Sequence, residues 1–143
     1  MATMREWQLA IVDRLAEVFP DNQVFEEGPP EEDYLPMYPN RMVKPYVIVW
    51  FGQRVDGGPG FNSVCGVLGS AHRGLFLVQV CAATGRMVND AAAAVSQALI
   101  GFRPAGQGEL KEDSAPTIRN PLDMSGVNTR YQVPLAYNGI VDF

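Results

Sequence analysis

Two dense apolar segments constrain most tightly how this chain can fold. Apolar side chains occupy nearly every position from Pro45 to Phe51 and most positions from Gly74 to Ala82. β-Branched and aromatic residues favour strands, and a strand that is apolar on both faces belongs inside a sheet. We therefore predict two strands of one sheet, with the Pro45–Phe51 strand in a central position.

An amphipathic helix is predicted before the first strand. Thr3 and Glu6 have the spacing of a capping box, in which each side chain accepts a hydrogen bond from a backbone N–H that the helix leaves unpaired. One apolar stripe follows at helical spacing: Trp7, Ile11, Leu15 and Val18. Phe19-Pro20 should end the helix, because the residue before a proline is pushed away from helical geometry.

A second helix is predicted after the second strand, with Thr84 as its N-cap. Its apolar stripe comprises Met87, Val88, Ala91, Val95, Leu99 and Phe102. The run of alanines from Ala91 to Ala94 lets this helix lie close to a neighbouring element. Pro104 and Gly106 are expected to terminate it.

The remaining pattern predicts strands. Short strands are expected at 23–25, 64–68 and 110–113, with a glycine-rich hairpin at 56–60, and the last strand should run from Val127 to Tyr137. Tyr131, Val133, Leu135 and Tyr137 would share one face of it, while Pro134 indicates an edge position or a bulge. The fold class is therefore α+β, with two helices packed on one face of an antiparallel or mixed sheet. At 143 residues the chain fits a single domain, 1–143.

Residues 20–45 form a long acidic, proline-rich segment, which we call the arm. Its acidic residues are Asp21, Glu26, Glu27, Glu31, Glu32 and Asp33, and no basic residue follows them before Arg41. Pro29, Pro30, Pro36 and Pro39 oppose regular structure. The arm also carries apolar residues, among them Tyr34, Leu35 and Tyr38, which a purely solvated segment does not need. The arm is therefore predicted either to order against a neighbour or to be disordered.

The charge and the two cysteines limit the class of protein. A net charge of -5 opposes sequence-independent DNA binding, which requires a clustered basic surface. Cys65 and Cys81 lie among apolar neighbours and are predicted to be buried free thiols, with a disulfide as the alternative. Arg5 and Glu6 interrupt the apolar start of the chain, so no signal peptide is expected. No segment approaches the roughly 20 apolar residues of a membrane span, so no membrane partner is expected.

The residues do not form a recognisable catalytic or metal-binding pattern. His72 is the single histidine and is expected to be an exposed loop residue that cannot build a zinc site with two distant cysteines. The glycine-rich stretch 57–63 lacks the Gly-Lys-Ser/Thr ending of a phosphate loop. The carboxylates between 26 and 33 lack the alternating spacing of a calcium loop. We therefore expect no enzyme activity, no catalytic residue, no metal and no cofactor.

The layout of the whole chain resembles the tail terminator proteins of long-tailed, siphovirus-type bacteriophages. The likeness lies in the short N-terminal helix that ends in Val18-Phe19-Pro20 and in the strand that begins Pro45-Tyr46-Val47. It continues through the glycine-rich hairpin, the strand from Leu75 to Ala82 and the helix from Met87 to Leu99. The long arm is the main departure from a minimal version of that pattern.

The resemblance implies a structural virion protein of the tail or neck, made in the host cytoplasm. Its subunits would form a hexameric ring that caps the tail tube, stops polymerisation of the major tail tube protein and joins the tail to the head–tail connector or stopper protein. DNA would pass through the lumen without specific binding. The interface candidates are Glu26, Glu27, Glu31, Glu32, Asp33, Tyr34, Tyr38, Arg41, Lys44, Arg54 and Arg73.

Other functions fit parts of the same pattern. Another neck or tube component of a virion would share the layout. A small monomeric binding module could use the acidic arm to bind a basic partner, with an affinity that falls as salt rises. A small hydrolase that uses His72 is the weakest alternative.

Overall fold

The structure is a computed structural model that describes residues 2–28, 30–31, 34–52, 55–56, 72–112, 120–122 and 130–142. The helices are α1 (Met4–Val18) and α2 (Gly85–Leu99), and a 3-10 turn spans Pro104–Gly106. The strands are β1 (Val24–Glu26), β2 (Tyr46–Phe51), β3 (Val55–Asp56), β4 (His72–Ala82), β5 (Lys111–Glu112), β6 (Asn120–Leu122) and β7 (Arg130–Val141).

The strands form one open, mixed sheet in the order β1-β2-β4-β7-β5, with β3 also paired to β4 and β6 to β7. β1 runs parallel to β2, and the other pairs are antiparallel. β4 and β7 are the long central strands, in register from His72 opposite Val141 to Ala82 opposite Tyr131. The predicted α+β class, the mixed sheet and the inner position of β2 are confirmed.

The predicted capping box of α1 is present. The Thr3 hydroxyl accepts a hydrogen bond from the Glu6 backbone N–H at 3.2 Å, and the Glu6 carboxylate accepts one from the Thr3 N–H at 2.7 Å. The stripe is correct up to Leu15, but the prediction for Val18 was wrong because its side chain is exposed. The helix ends at Val18, and the non-helical backbone of Phe19 directs that side chain into the core instead.

α2 begins as predicted and ends earlier. The Thr84 hydroxyl accepts a hydrogen bond from the Met87 N–H at 3.1 Å. The helix stops at Leu99, because Ile100 is extended and Gly101 has a φ of +84°, a conformation that suits glycine. Phe102 therefore lies outside the helix, although it still packs against the core.

The helices cover one face of the sheet, which we call the helix face. The main core fills the space between them, and its buried side chains from the sheet are Val47, Val49, Phe76, Val78, Val80, Val133, Leu135 and Tyr137. Alternate residues of β7 are buried there, as predicted. The predicted edge position or bulge at Pro134 was wrong, because β7 lies between β4 and β5 and Pro134 pairs with Gln79 in an unbroken register with β4.

Two of the three predicted short strands can be compared with the structure. The short strands near 23–25 and 110–113 are confirmed as β1 and β5. His72, which was predicted to lie in an exposed loop, is the half-buried first residue of β4, because it pairs there with Val141 and Asp56. The predicted strand at 64–68, Cys65 and most of the glycine-rich hairpin lie outside the described residues.

Trp7 packs on a position of β4 that only glycine fits. A Cβ added at Gly74 would lie 2.7 Å from the Trp7 indole, while one added at Gly28 would meet nothing within 4 Å. Gly74→Ala is therefore expected to lower the free energy of unfolding by about 1–3 kcal/mol, because the buried ring cannot move aside without strain. Gly28→Ala is the matched control. Urea unfolding of both variants checks this, and equal effects would contradict the packing.

Candidate functional site

The arm folds back on its own sheet. After β1 the chain returns as a small hairpin, in which Met37 and Val43 form an antiparallel bridge. The Tyr38 N–H donates to the Met42 carbonyl at 2.8 Å, and the Lys44 N–H donates to the Pro36 carbonyl at 2.8 Å. The described part of the arm is therefore ordered within one chain, without a neighbour.

Two arm side chains anchor this hairpin on the sheet face opposite the helices, which we call the arm face. Leu35 and Val43 are buried there in a second apolar cluster with Tyr46, Ile48 and Cys81. The cluster also includes partly buried Phe25, Trp50 and Ala83. The arm thus buries the apolar outer side of β2, which explains why that strand is apolar on both faces.

A buried arginine lies at one end of this cluster. Arg130 is 2% exposed, and its guanidinium donates a hydrogen bond to the Tyr46 hydroxyl at 2.8 Å. Burial raises the pKa of the Tyr46 hydroxyl well above its ordinary value, and it raises the pKa of the Cys81 thiol to about 11. Cys81 is a free, fully buried thiol, as predicted, and its raised pKa opposes a nucleophilic role.

Several predicted interface residues make contacts within the chain. The Arg5 guanidinium donates two hydrogen bonds to the Glu26 carboxylate, at 3.0 and 3.2 Å. Glu27 accepts a hydrogen bond from the Phe51 N–H at 3.2 Å. The Lys44 ammonium lies 3.4 Å from an Asp21 carboxylate oxygen and 5.4 Å from the centre of the Tyr38 ring. These contacts fasten the arm to α1 and β2 and to itself.

Other predicted residues project from the arm into solvent. Glu31 and Arg41 are exposed, Tyr38 is 39% exposed and Tyr34 is 74% exposed. Glu32, Asp33 and Arg54 lie outside the described residues. Arg73 lies far from the arm, near the start of β4, so the structure does not bring all the candidates together.

The arm covers only part of its face. Pairing places Tyr46, Cys81 and Gln132 in one row, and Ile48, Gln79 and Pro134 in the next. The Gln79 side chain links its neighbours on both sides. Its Oε1 accepts a hydrogen bond from the Trp50 indole N–H at 3.2 Å, and its Nε2 donates a hydrogen bond to Oε1 of Gln132. Beyond the row that contains Gln79 lies a groove of about 380 Å³ whose lining includes Trp50, Leu75, Leu77 and Ala136. We call this region the open half of the arm face.

Basic residues border the open half. Arg73 pairs with Ile140 at the far end of the arm face, beside a second groove of about 310 Å³ that Arg103 and Lys111 also line. Glu109 is the acidic residue in that lining. Sequence reasoning missed Arg103 and Lys111, because they reach Arg73 only through the turn after α2 and the pairing of β5 with β7, and no local pattern indicates this.

Tyr137 is the buried polar residue of the helix face. Its hydroxyl and the Ser96 hydroxyl are 2.7 Å apart in a hydrogen bond, and burial raises the pKa of Tyr137 from 10.0 to about 12. The folded state therefore favours the neutral phenol of Tyr137. The contribution of this neutral phenol to the free energy of unfolding is complete below pH 10 and is lost as the pH rises towards 12.

Tyr137→Phe is expected to weaken the alkaline loss of stability. At pH 7 the variant should lose about 1 kcal/mol with the Ser96 hydrogen bond. Between pH 9 and pH 11 its free energy of unfolding should fall less steeply than that of the wild type, because one of the groups that ionise on unfolding is gone. Urea titrations at both pH values measure the slopes, and parallel slopes would contradict the assignment.

No group of three His, Cys, Asp or Glu side chains that could hold a metal occurs among the described residues. No helix in the described part of the chain is long and apolar enough to cross a membrane. The described residues also present two distinctive surfaces, which are the acidic arm and the basic, apolar open half.

Comparisons with known proteins identify a shared fold. A chain in the virion of a native gene transfer agent particle superposes with a TM-score of 0.60 at 18% sequence identity, over 99% of this chain and 98% of that chain. A second solved chain, whose name states no function, superposes with a TM-score of 0.54 at 15% identity, over 97% of this chain and 96% of that chain. No protein-family model and no curated protein sequence matches the chain.

Proposed function

We propose that this chain is a non-enzymatic structural protein of a virion, and specifically a tail terminator. Its ring would cap the tail tube, stop polymerisation of the major tail tube protein and join the tail to the head connector. The observation that carries this proposal is the fold shared with a virion chain over almost the full length of both chains. The sequence resemblance to tail terminators gives the finer assignment.

The surfaces of the subunit support assembly into a ring. A ring requires a head-to-tail interface, in which two different surfaces of each subunit meet on neighbouring copies. We propose that the acidic arm and the basic open half, which are different surfaces of one subunit, are these two surfaces. A net charge of -5 also suits a lumen through which DNA passes without binding, since acidic groups repel phosphates.

Native mass spectrometry over a concentration series, with negative-stain electron microscopy, tests the proposal. A tail terminator is expected to form a closed ring of small fixed number, six in the resemblance, that does not grow with concentration. Open filaments would instead indicate a tube protein. A strict monomer that binds a basic partner in a salt-dependent manner would indicate the binding module and overturn the ring.

A capping assay separates a terminator from another ring-forming neck component. Added to polymerising major tail tube protein, the purified rings should stop tube growth when present at about one ring per tube end. The matched control is the same amount of heat-denatured protein. Tubes that keep their growth rate at that ratio would contradict the terminator role while leaving a structural role in the neck.

A further inference from the structure

The open half of the arm face is an apolar surface with a basic border. Trp50, Leu77 and Ala136 lie side by side across β2, β4 and β7, and Leu75 continues the same apolar surface one step along β4. Ile140 extends it to the end of β7 and is 43% exposed. Apolar area of this kind is stabilised when a partner covers it.

The charge at its border selects an acidic partner. Arg73, Arg103 and Lys111 are exposed around the second groove, and Glu109 offsets one of these three charges. The ion pairs formed among the described residues use other cations: Arg5, Arg14 and Lys44. A segment that combines carboxylates with an aromatic side chain would therefore complement both the border and the apolar centre.

The arm has that chemistry. Tyr34 is 74% exposed, which is the largest exposure among the exposed large apolar side chains of the described residues. Exposed Glu31 precedes it, and Glu32 and Asp33 lie between them in the sequence. An aromatic residue preceded by carboxylates is well suited to insert at the centre of an interface with a basic rim.

Within one chain the Tyr34 ring is not buried on the open half, because it is exposed to solvent. Leu35, the residue after Tyr34, is anchored in the cluster that contains Cys81. Arg73 lies eight residues before Cys81 on the same strand, a separation of about 26 Å at roughly 3.3 Å per residue. The exposed Tyr34 ring is therefore available to contact a second copy of the chain.

We propose that Glu31 and Tyr34 of the arm dock on the open half of a second copy of this chain. Each arm would then cover part of the arm face of the neighbouring subunit, in addition to the part of its own arm face that it already covers. The contact is head-to-tail, because the arm and the open half are different surfaces, and it leaves one of each free until a ring closes. This inference rests on the proposed ring and names the surfaces that would form it.

Two substitutions test the two surfaces separately. Arg73→Glu reverses a charge in the basic border, and Tyr34→Ala removes the exposed ring from the arm. Each is expected to raise the concentration needed for half-assembly by about tenfold or more, as measured by native mass spectrometry and sedimentation. Arg86→Glu and Leu9→Ala are the controls, since both wild-type residues are exposed on the helices of the opposite face, and these variants should assemble as the wild type does.

Mixing the two variants tests the direction of the contact. Arg73→Glu chains keep an intact arm, and Tyr34→Ala chains keep an intact open half, so the mixture should form one-to-one heterodimers that do not grow. If each variant alone still forms rings at the same concentration as the wild type, the proposed contact is overturned but the ring is not. A contact between two like surfaces would give no heterodimer, which also overturns it. A wild-type chain that stays monomeric would overturn both the contact and the ring.

Discussion

Trp7→Ala is expected to lower the free energy of unfolding by about 3–5 kcal/mol, the usual cost of truncating a large buried aromatic side chain. Trp7 is 1% exposed and lies between α1 and the sheet. Its ring meets Phe76 edge-on, with 5.8 Å between ring centres, and Phe51 at 6.4 Å. Truncation would remove these contacts and leave a cavity above Gly74. Urea unfolding at neutral pH measures the loss.

Leu9→Ala on the same helix is the matched control for Trp7→Ala. Leu9 is 40% exposed, so its truncation should change the free energy of unfolding by much less. Trp7→Phe should cost less than Trp7→Ala, because the Trp7 indole N–H finds no hydrogen-bond acceptor among the described residues and only packing is lost. Equal losses for Leu9→Ala and Trp7→Ala would contradict the assigned core.

The sequence predicted the elements that depend on local chemistry. The capping box at Thr3, the cap at Thr84 and the inner strand β2 all follow from side chains close in sequence. Its errors for the two helices lie at their ends. Val18 and Phe102 continue an apolar period beyond the last helical residue, and periodicity alone does not reveal where the backbone leaves the helix.

The arm face could not be predicted in the same way. The apolar residues on both sides of β2 correctly indicated an inner strand, but not that the arm itself covers the second side. Arg130 is buried beside Tyr46 because β7 pairs with β4. Arg103 and Lys111 approach Arg73 through the turn after α2 and the pairing of β5 with β7. Such long-range pairing leaves no signal in a single sequence, so the basic residues that border the open half could be identified only from the structure.

The double variant Leu35→Ala/Val43→Ala is expected to release the arm while the helix face stays folded. Both side chains are buried against Tyr46, Ile48 and Cys81, and removing their methyl groups should cost about 3 kcal/mol or more if the arm remains docked. The loss cannot exceed the free energy that docks the arm, because the chain can detach the arm instead of keeping two cavities. Detachment would expose the arm to protease.

Limited digestion with a glutamate-specific protease measures that release, since the arm carries Glu26, Glu27, Glu31 and Glu32. The double variant should be cut there much faster than the wild type, with the helices retained by circular dichroism. Tyr34→Ala/Met37→Ala is the matched control, since both wild-type side chains are exposed, and the arm should resist cleavage as in the wild type. Only the anchor variant should therefore lose its ordered arm, whereas both should assemble poorly if Tyr34 contacts the neighbouring subunit. Equal cleavage of the two variants would contradict the anchoring role of Leu35 and Val43.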